Sequence, residues 1–202
     1  MGSCRAQNRQ NVVVKSVDNA RLRNERNVLR RFQGKSNFIR PLLDEIEDHS
    51  APAIVLTHLD DNIHHASVNK RLSRQEVKHV ARKVLEALSV LHEEGFVHTG
   101  MELLTVYCPT MLIKSLADIE PRNVLVNYGR DNSDRPFPKV LLASFGSAVH
   151  ADSGHARKGA PIGTPAFRSP EAHLSIRWGP ATDIWSFGAM VGSVVETRAA
   201  PF

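Results

Sequence analysis

The sequence has little cysteine, few aromatic residues and no long apolar run. Cys4 and Cys108 are the only cysteines among 202 residues, which excludes a disulfide framework and is typical of a reducing compartment, the cytoplasm or the nucleus. No run approaches the ~18 consecutive apolar residues that a membrane span needs. The first eleven residues lack the apolar core of a signal peptide. We therefore expect no association with a membrane.

Positive charge is concentrated at the start of the chain. Residues 1–40 hold ten Lys and Arg against two acidic residues, whereas the whole chain has a net charge of +5. A basic segment can bind nucleic acid, but these charges are not interleaved with aromatic side chains that would stack on bases. The pattern favours a solvated helix face and argues against a nucleic acid partner.

The order of predicted elements describes a small β-rich lobe with one helix, followed by a helical lobe. Apolar spacing predicts helices over 20–33, 73–94 and 181–197, with a capping box at Ser73 and Glu76. β-branched and apolar runs predict the strands, which are 12–17, 38–46, 53–59, 96–98, 124–127 and 139–143. The fold class is therefore α+β, with a linker at residues 60–62.

Lys15 and Glu25 are two charged residues on faces that the pattern predicts to be buried. Lys15 shares a strand face with two valines, and Glu25 lies three residues after Leu22 and four before Leu29. A half-buried ammonium group requires an anion. The sequence therefore predicts that the two side chains pair.

Three further motifs follow along the chain. DIEPRNVLVN places Asp118 five residues before Asn123, at the start of a strand, and a later strand leads into Ser144-Phe145-Gly146. GTPAFRSPE and DIWSFG, which begins at Asp183, are the most specific signals. Taken in order, these motifs resemble the eukaryotic protein kinase family, of the Ser/Thr type and with a fungal character.

The resemblance implies a two-lobed kinase-like fold, incomplete at both ends, with a partial N-lobe over 1–59 that lacks the glycine-rich loop and a partial C-lobe over 60–202. It implies binding of ATP and Mg²⁺ and a protein substrate. It also implies a role for each matching residue: Lys15 on the ATP phosphates, Glu25 as its partner, the backbone around Leu56, His58 and Leu59 on adenine, Asp118 as the base, Asn123 as a metal ligand, Thr164 in the substrate-facing loop, Glu171 in the A-P-E motif, and Asp183 as the brace of the catalytic loop.

Two substitutions within the motifs weaken the expected chemistry. Ser144 stands where the family has the aspartate that holds Mg²⁺, and a neutral hydroxyl is a poor ligand for a hard dication. Glu120 stands where a lysine contacts the transferred phosphate, so it adds a repulsive charge there. We expect a kinase domain with impaired phosphotransfer; the alternative is a pseudokinase that binds or scaffolds without phosphotransfer.

An apolar segment interrupts the catalytic loop. The family motif runs from His98-Thr99 directly into Asp118 once residues 100–117 are removed, and 11 of those 18 residues are apolar. A surface insertion is normally polar. The segment corresponds to 54 nucleotides, and its end codons allow a GT start and an AG end. We interpret it as a translated retained intron.

Overall fold

The computed structural model describes residues 2–5, 11–16, 20–47, 52–99, 121–129 and 137–196. Residues 100–117, the suspected insert, lie outside these ranges together with Asp118 and Glu120. The retained-intron interpretation and the domain boundaries therefore stay predictions.

The first part of the chain is a four-stranded antiparallel sheet with one helix. Its strands are β1 (Gly2–Arg5), β2 (Asn11–Ser16), β3 (Leu42–Ile46) and β4 (Ala53–Thr57), and the helix is α1 (Ala20–Phe32). The sheet order is β1-β2-β4-β3, with Lys15 opposite Ile54. The helix buries its predicted stripe, and Gly34 follows it with a left-handed φ of 76°.

The second part is mainly helical and carries two small antiparallel sheets. The helices are α2 (Ile63–Asn69), α3 (Arg74–Glu93), α4 (Gly154–Arg157), α5 (Pro170–His173) and α6 (Pro180–Glu196). The strands are β5 (Asp61–Asn62), β6 (Phe96–Val97), β7 (Val124–Asn127), β8 (Lys139–Leu142) and β9 (Val149–His150), paired as β5-β7-β8 and β6-β9. This arrangement confirms the predicted α+β class. The linker predicted at residues 60–62 is wrong in part, because β5 lies at Asp61–Asn62, and β1 and α2 are additions to the predicted order.

The capping box predicted for α3 is confirmed. The Ser73 hydroxyl accepts from the Glu76 amide, and the Glu76 carboxylate accepts from the Ser73 amide. These bonds satisfy two of the amides that a helix start leaves unpaired. Gly95 ends the helix with a φ of 73°, so the chain turns directly into β6.

The strand predicted over 38–46 is wrong at its first four residues. The structure begins β3 at Leu42, while Ile39 forms an isolated parallel bridge with Leu142 and the Arg40 amide donates to the Leu142 carbonyl oxygen at 2.9 Å. Pro41 follows Arg40 and has no amide hydrogen for a sheet ladder. Residues 38–40 therefore join the first sheet to β8.

The core is continuous across the two parts. Fully buried side chains from α1, β4, α3, β7 and β8 belong to one apolar cluster, together with Phe145. A smaller cluster surrounds Trp178, which donates to the Ala160 carbonyl oxygen at 2.8 Å. Among the described helices, none is both long and apolar enough to cross a membrane.

Candidate functional site

Lys15 and Glu25 form an ion pair between β2 and α1. The Lys15 Nζ lies 3.0 Å from Oε1 and 2.9 Å from Oε2 of Glu25. The side chains are 13% and 7% exposed, respectively. Glu25 lies on the same face of α1 as the apolar stripe that packs on the sheet. Its carboxylate therefore lies next to the ammonium group of Lys15, which points from β2 towards α1. The structure thus brings together the two residues that the sequence pairs.

Asn123 and Ser144 lie at adjoining ends of β7 and β8. Asn123 is buried in a 3₁₀ turn over Pro121–Asn123, and its carbonyl oxygen accepts from the Ala143 amide at 2.9 Å. Ser144 is half-buried and left-handed, with φ 68° and ψ 58°. Of the two side chains predicted to face a metal, one therefore offers an amide and the other a hydroxyl.

Asp183 connects α6 to the backbone after β6. Its Oδ2 accepts from the His98 amide at 2.8 Å and lies 2.9 Å from His92 Nε2, and its Oδ1 accepts from the Thr99 amide at 3.2 Å. The side chain is 1% exposed, so these bonds form in a low-dielectric environment that strengthens them. The role of Asp183 as the brace of the catalytic loop, implied by the family resemblance, stays a prediction.

His98 is buried beneath the segment that contains Ser144. Its ring packs edge-on against Phe145 with centroids 4.9 Å apart, and Nε2 lies 2.9 Å from the Ala143 carbonyl oxygen. A carbonyl oxygen only accepts, so Nε2 carries the hydrogen. Nδ1 is buried with no partner among the described residues. Burial lowers the pKa of His98 despite the nearby Asp183 carboxylate, because a charged ring would lose its hydration there.

The predicted hinge contains a buried cation that the sequence analysis did not single out. Leu56 and Leu59 are buried and His58 is half-buried. The Arg40 guanidinium reaches the same stretch, where Nε and Nη2 donate to the Thr57 carbonyl oxygen at 2.9 and 2.7 Å. Burial lowers the pKa of Arg40 to about 10, although the charge of Glu25 opposes that shift. The sequence offered no signal for this contact of Arg40, because its acceptor, the Thr57 carbonyl oxygen, is a backbone atom.

Thr164 and Glu171 lie between α4 and α6, Thr164 in a loop and Glu171 in α5. Thr164 is 6% exposed, and its buried Oγ1 has no hydrogen-bond partner among the described residues. Arg168, which the sequence analysis also missed, closes the loop by donating to the Ile162 and Gly163 carbonyl oxygens, each at 2.6 Å. Glu171 is half-buried in α5 and forms no ion pair within the part of the chain that the structure describes.

Comparisons with known proteins agree with this arrangement. The serine/threonine-protein kinase dkf-2 of Caenorhabditis briggsae is 31% identical over 126 residues, which are 62% of this chain and 9% of that protein. The calcium/calmodulin-dependent protein kinase type 1 of Macrobrachium nipponense is 27% identical over 192 residues, 89% of this chain and 47% of that protein. The chain is thus similar to protein kinases over 62% to 89% of its length.

Further similarity extends to the serine/threonine-protein kinase PAK 4 of Homo sapiens, 28% identical over 62% of this chain and 17% of that protein. The chain spans less than half the length of each of these kinases. No family model matches it. This similarity supports the predicted resemblance to protein kinases, whereas the roles of individual residues stay predictions.

Proposed function

We propose that this kinase domain binds ATP and transfers its γ-phosphoryl group to Ser or Thr hydroxyls of a protein substrate at an impaired rate. The observation that carries the proposal is the Lys15–Glu25 pair, with Nζ–O distances of 3.0 and 2.9 Å. A carboxylate that orients a partly buried ammonium group leaves further N–H donors of that group free for an anion. The α- and β-phosphates of ATP are anions of the required kind.

The predicted hinge and Asp118 take further roles in the same proposal. The backbone of Leu56, His58 and Leu59 receives adenine, and the division into lobes at 1–59 and 60–202 places ATP between them. Asp118, outside the described residues, accepts the proton of the substrate hydroxyl. The hydroxyl oxygen then bonds to the γ-phosphorus while the bond to the ADP oxygen breaks. The cytoplasm or nucleus is the proposed location.

Magnesium fits this site poorly. The two expected ligands, Asn123 and Ser144, are neutral, whereas Mg²⁺ is usually held through carboxylates. No group of three or more His, Cys, Asp or Glu side chains suited to a metal occurs among the described residues. We therefore assign no step to the metal, and we attribute the impaired transfer to its weak retention and to Glu120.

A pseudokinase that binds a nucleotide or a protein without phosphotransfer is the second candidate. The neutral hydroxyl of Ser144 at the metal position favours it. The impaired kinase and the pseudokinase share the nucleotide site, so measured ATP binding tests both. Measured phosphate transfer to a protein distinguishes them, because only the kinase transfers phosphate.

The test is a calorimetric titration of ATP into the full chain and into Lys15→Ala. A charge-assisted hydrogen bond contributes about 1.5–3 kcal/mol, so we expect affinity to fall by about tenfold or more. Lys139→Ala is the matched control, because Lys139 is also a strand lysine but is exposed. Equal affinities in Lys15→Ala and the wild type would reject the nucleotide site.

A further inference from the structure

A shallow apolar groove lies between α3 and α6. Its floor includes Val80 and Met190, which are 4% and 2% exposed. Its walls include the half-buried side chains of Val77 and Ala81 on α3 and of Val191 on α6. Every side chain that lines this α3–α6 groove is apolar. The groove therefore offers a binding partner apolar contact and no hydrogen bond from its lining side chains.

The α6 wall of the groove continues into an exposed apolar face. Ile184 and Val195 are 47% and 50% exposed, and the exposed Gly188 lies between them on the same face of the helix. No atom lies within 4 Å of a Cβ added to Gly188, so the backbone of another helix has room to approach closely there. Asp183 is the only charged residue of α6 before Glu196, and it is buried.

The α3 side of the groove carries positive charge. Arg74, Lys78 and Arg82 recur every four residues, so they lie along one exposed face of α3, next to the apolar wall. None of these three side chains forms an ion pair or a hydrogen bond within the part of the chain that the structure describes. The cations of α1 differ, since Arg31 there pairs with Glu94 at 2.8 Å. The charges on α3 are therefore available to a partner.

We propose that the α3–α6 groove binds an acidic amphipathic helix of a partner protein. The apolar face of that helix packs on the groove and on the exposed face of α6, as amphipathic helices do in other hydrophobic grooves. Its carboxylates face Arg74, Lys78 and Arg82, and the α6 wall presents no opposing charge between Ile184 and Val195.

The shape of the surface favours a helix over a membrane. The most buried lining residues, Val80 and Met190, lie below the half-buried walls, so the surface is concave, whereas a bilayer is contacted by apolar side chains that protrude. The groove contains no residue of the proposed nucleotide site, so docking of the partner helix does not require ATP.

The test is fluorescence anisotropy of a labelled synthetic peptide titrated with the full chain. The peptide is a helix with leucines at positions i, i+3, i+4 and i+7 and glutamates on its opposite face. Its control has the same leucines and a lysine in place of each glutamate. We expect the acidic peptide to bind at least about tenfold more tightly than the basic peptide.

Charge reversal locates the binding site. Lys78→Glu/Arg82→Glu should weaken binding of the acidic peptide by about tenfold and strengthen binding of the basic peptide. Lys139→Glu/Lys158→Glu is the matched control, because it reverses two exposed charges away from the groove and should leave both affinities unchanged.

A second variant tests the apolar wall. Gly188→Gln places a larger side chain on the exposed face of α6 and should weaken binding of the acidic peptide. Glutamine favours a helix more than glycine does, so a loss of binding in this variant does not reflect a weaker fold.

The proposal is overturned if the two peptides bind equally, if Lys78→Glu/Arg82→Glu changes binding no more than its control does, or if Gly188→Gln binds the acidic peptide as the wild type does. Displacement of the peptide by phosphatidylserine vesicles would assign the surface to a membrane and reject the proposal. A wild-type dimer that becomes monomeric in Gly188→Gln, without peptide binding, would assign the groove to a second copy of the chain and also reject it.

Discussion

Replacing Asp183 by asparagine should destabilise the chain by about 3–5 kcal/mol. The carboxylate is almost fully buried and accepts from the amides of His98 and Thr99, with His92 Nε2 at 2.9 Å from Oδ2. Asparagine has a similar shape, but one of its two positions becomes an NH₂ donor. Either orientation therefore places a donor against a backbone amide.

The magnitude follows from the three contacts. If the asparagine oxygen takes the Oδ2 position, the bonds to His98 and His92 survive but weaken by about 1 kcal/mol each, since a charged acceptor becomes neutral. The Thr99 amide is then buried without an acceptor, which costs about 1–3 kcal/mol. Together these losses amount to about 3–5 kcal/mol, a large fraction of the ~5–15 kcal/mol that stabilises a typical domain.

Urea unfolding followed by far-ultraviolet circular dichroism measures the change in the free energy of unfolding. Asp152→Asn is the control, because Asp152 is 65% exposed and forms a surface ion pair with Arg177; such a pair contributes about 0–1 kcal/mol. A loss below about 1 kcal/mol in Asp183→Asn would refute the account of the brace.

Two other predictions concern His98 and Ser144. Because burial depresses the pKa of His98 from 6.5, the unfolded chain binds a proton that the folded chain does not. The free energy of unfolding should therefore fall below pH ~6.5, by up to about 1.4 kcal/mol per pH unit from this group. His98→Asn should reduce the dependence of the free energy of unfolding on pH, whereas His155→Asn, at an exposed position, should leave it unchanged. The same pH dependence in the wild type and both variants would contradict the lowered pKa of His98. Ser144→Asp should make ATP binding depend on Mg²⁺ by about tenfold or more, since a carboxylate suits Mg²⁺ and aspartate tolerates a left-handed backbone. Ser144→Asn is the control, because asparagine has the shape of aspartate without its charge. The same Mg²⁺ dependence of ATP binding in Ser144→Asp and Ser144→Asn would contradict the prediction.

Long periodic elements could be predicted from the sequence. The helix α3 has a regular apolar stripe, a capping box and a terminal glycine, and the structure places it at Arg74–Glu93. The helix α1 was predicted with Glu25 on its buried face, as observed. In both, local propensity and tertiary packing favour the same conformation.

Two short elements, α2 and β1, were missed because tertiary contacts decide them. The helix α2 follows residues predicted as a linker, and it depends on an Asn62 cap and on packing against the Pro121–Asn123 turn. The strand β1 was also missed; it pairs with β2 from Gly2 to Arg5. The β1 sequence GSCR has no β-branched residue to indicate a strand, and the seven residues of α2 are too few to show a helical period.

Some contacts of the candidate site could be predicted from the sequence and others could not. Pairing of Lys15 with Glu25 follows from two charges on predicted buried faces, and the position of Asp183 follows from the family motif. The contacts of Arg40, Asn24 and the Thr99 hydroxyl were not predicted. All three side chains bond to backbone carbonyl oxygens distant in the sequence, and such an acceptor leaves no trace in side-chain patterns.

We propose that the Lys15–Glu25 pair forms an ATP phosphate site that lacks an effective ligand for Mg²⁺. Calorimetric titration of ATP into the wild-type chain, with and without Mg²⁺, tests it most directly. We expect measurable binding, with an affinity for ATP that differs by less than about threefold between the two conditions. Absence of binding, or binding that requires Mg²⁺, would contradict it.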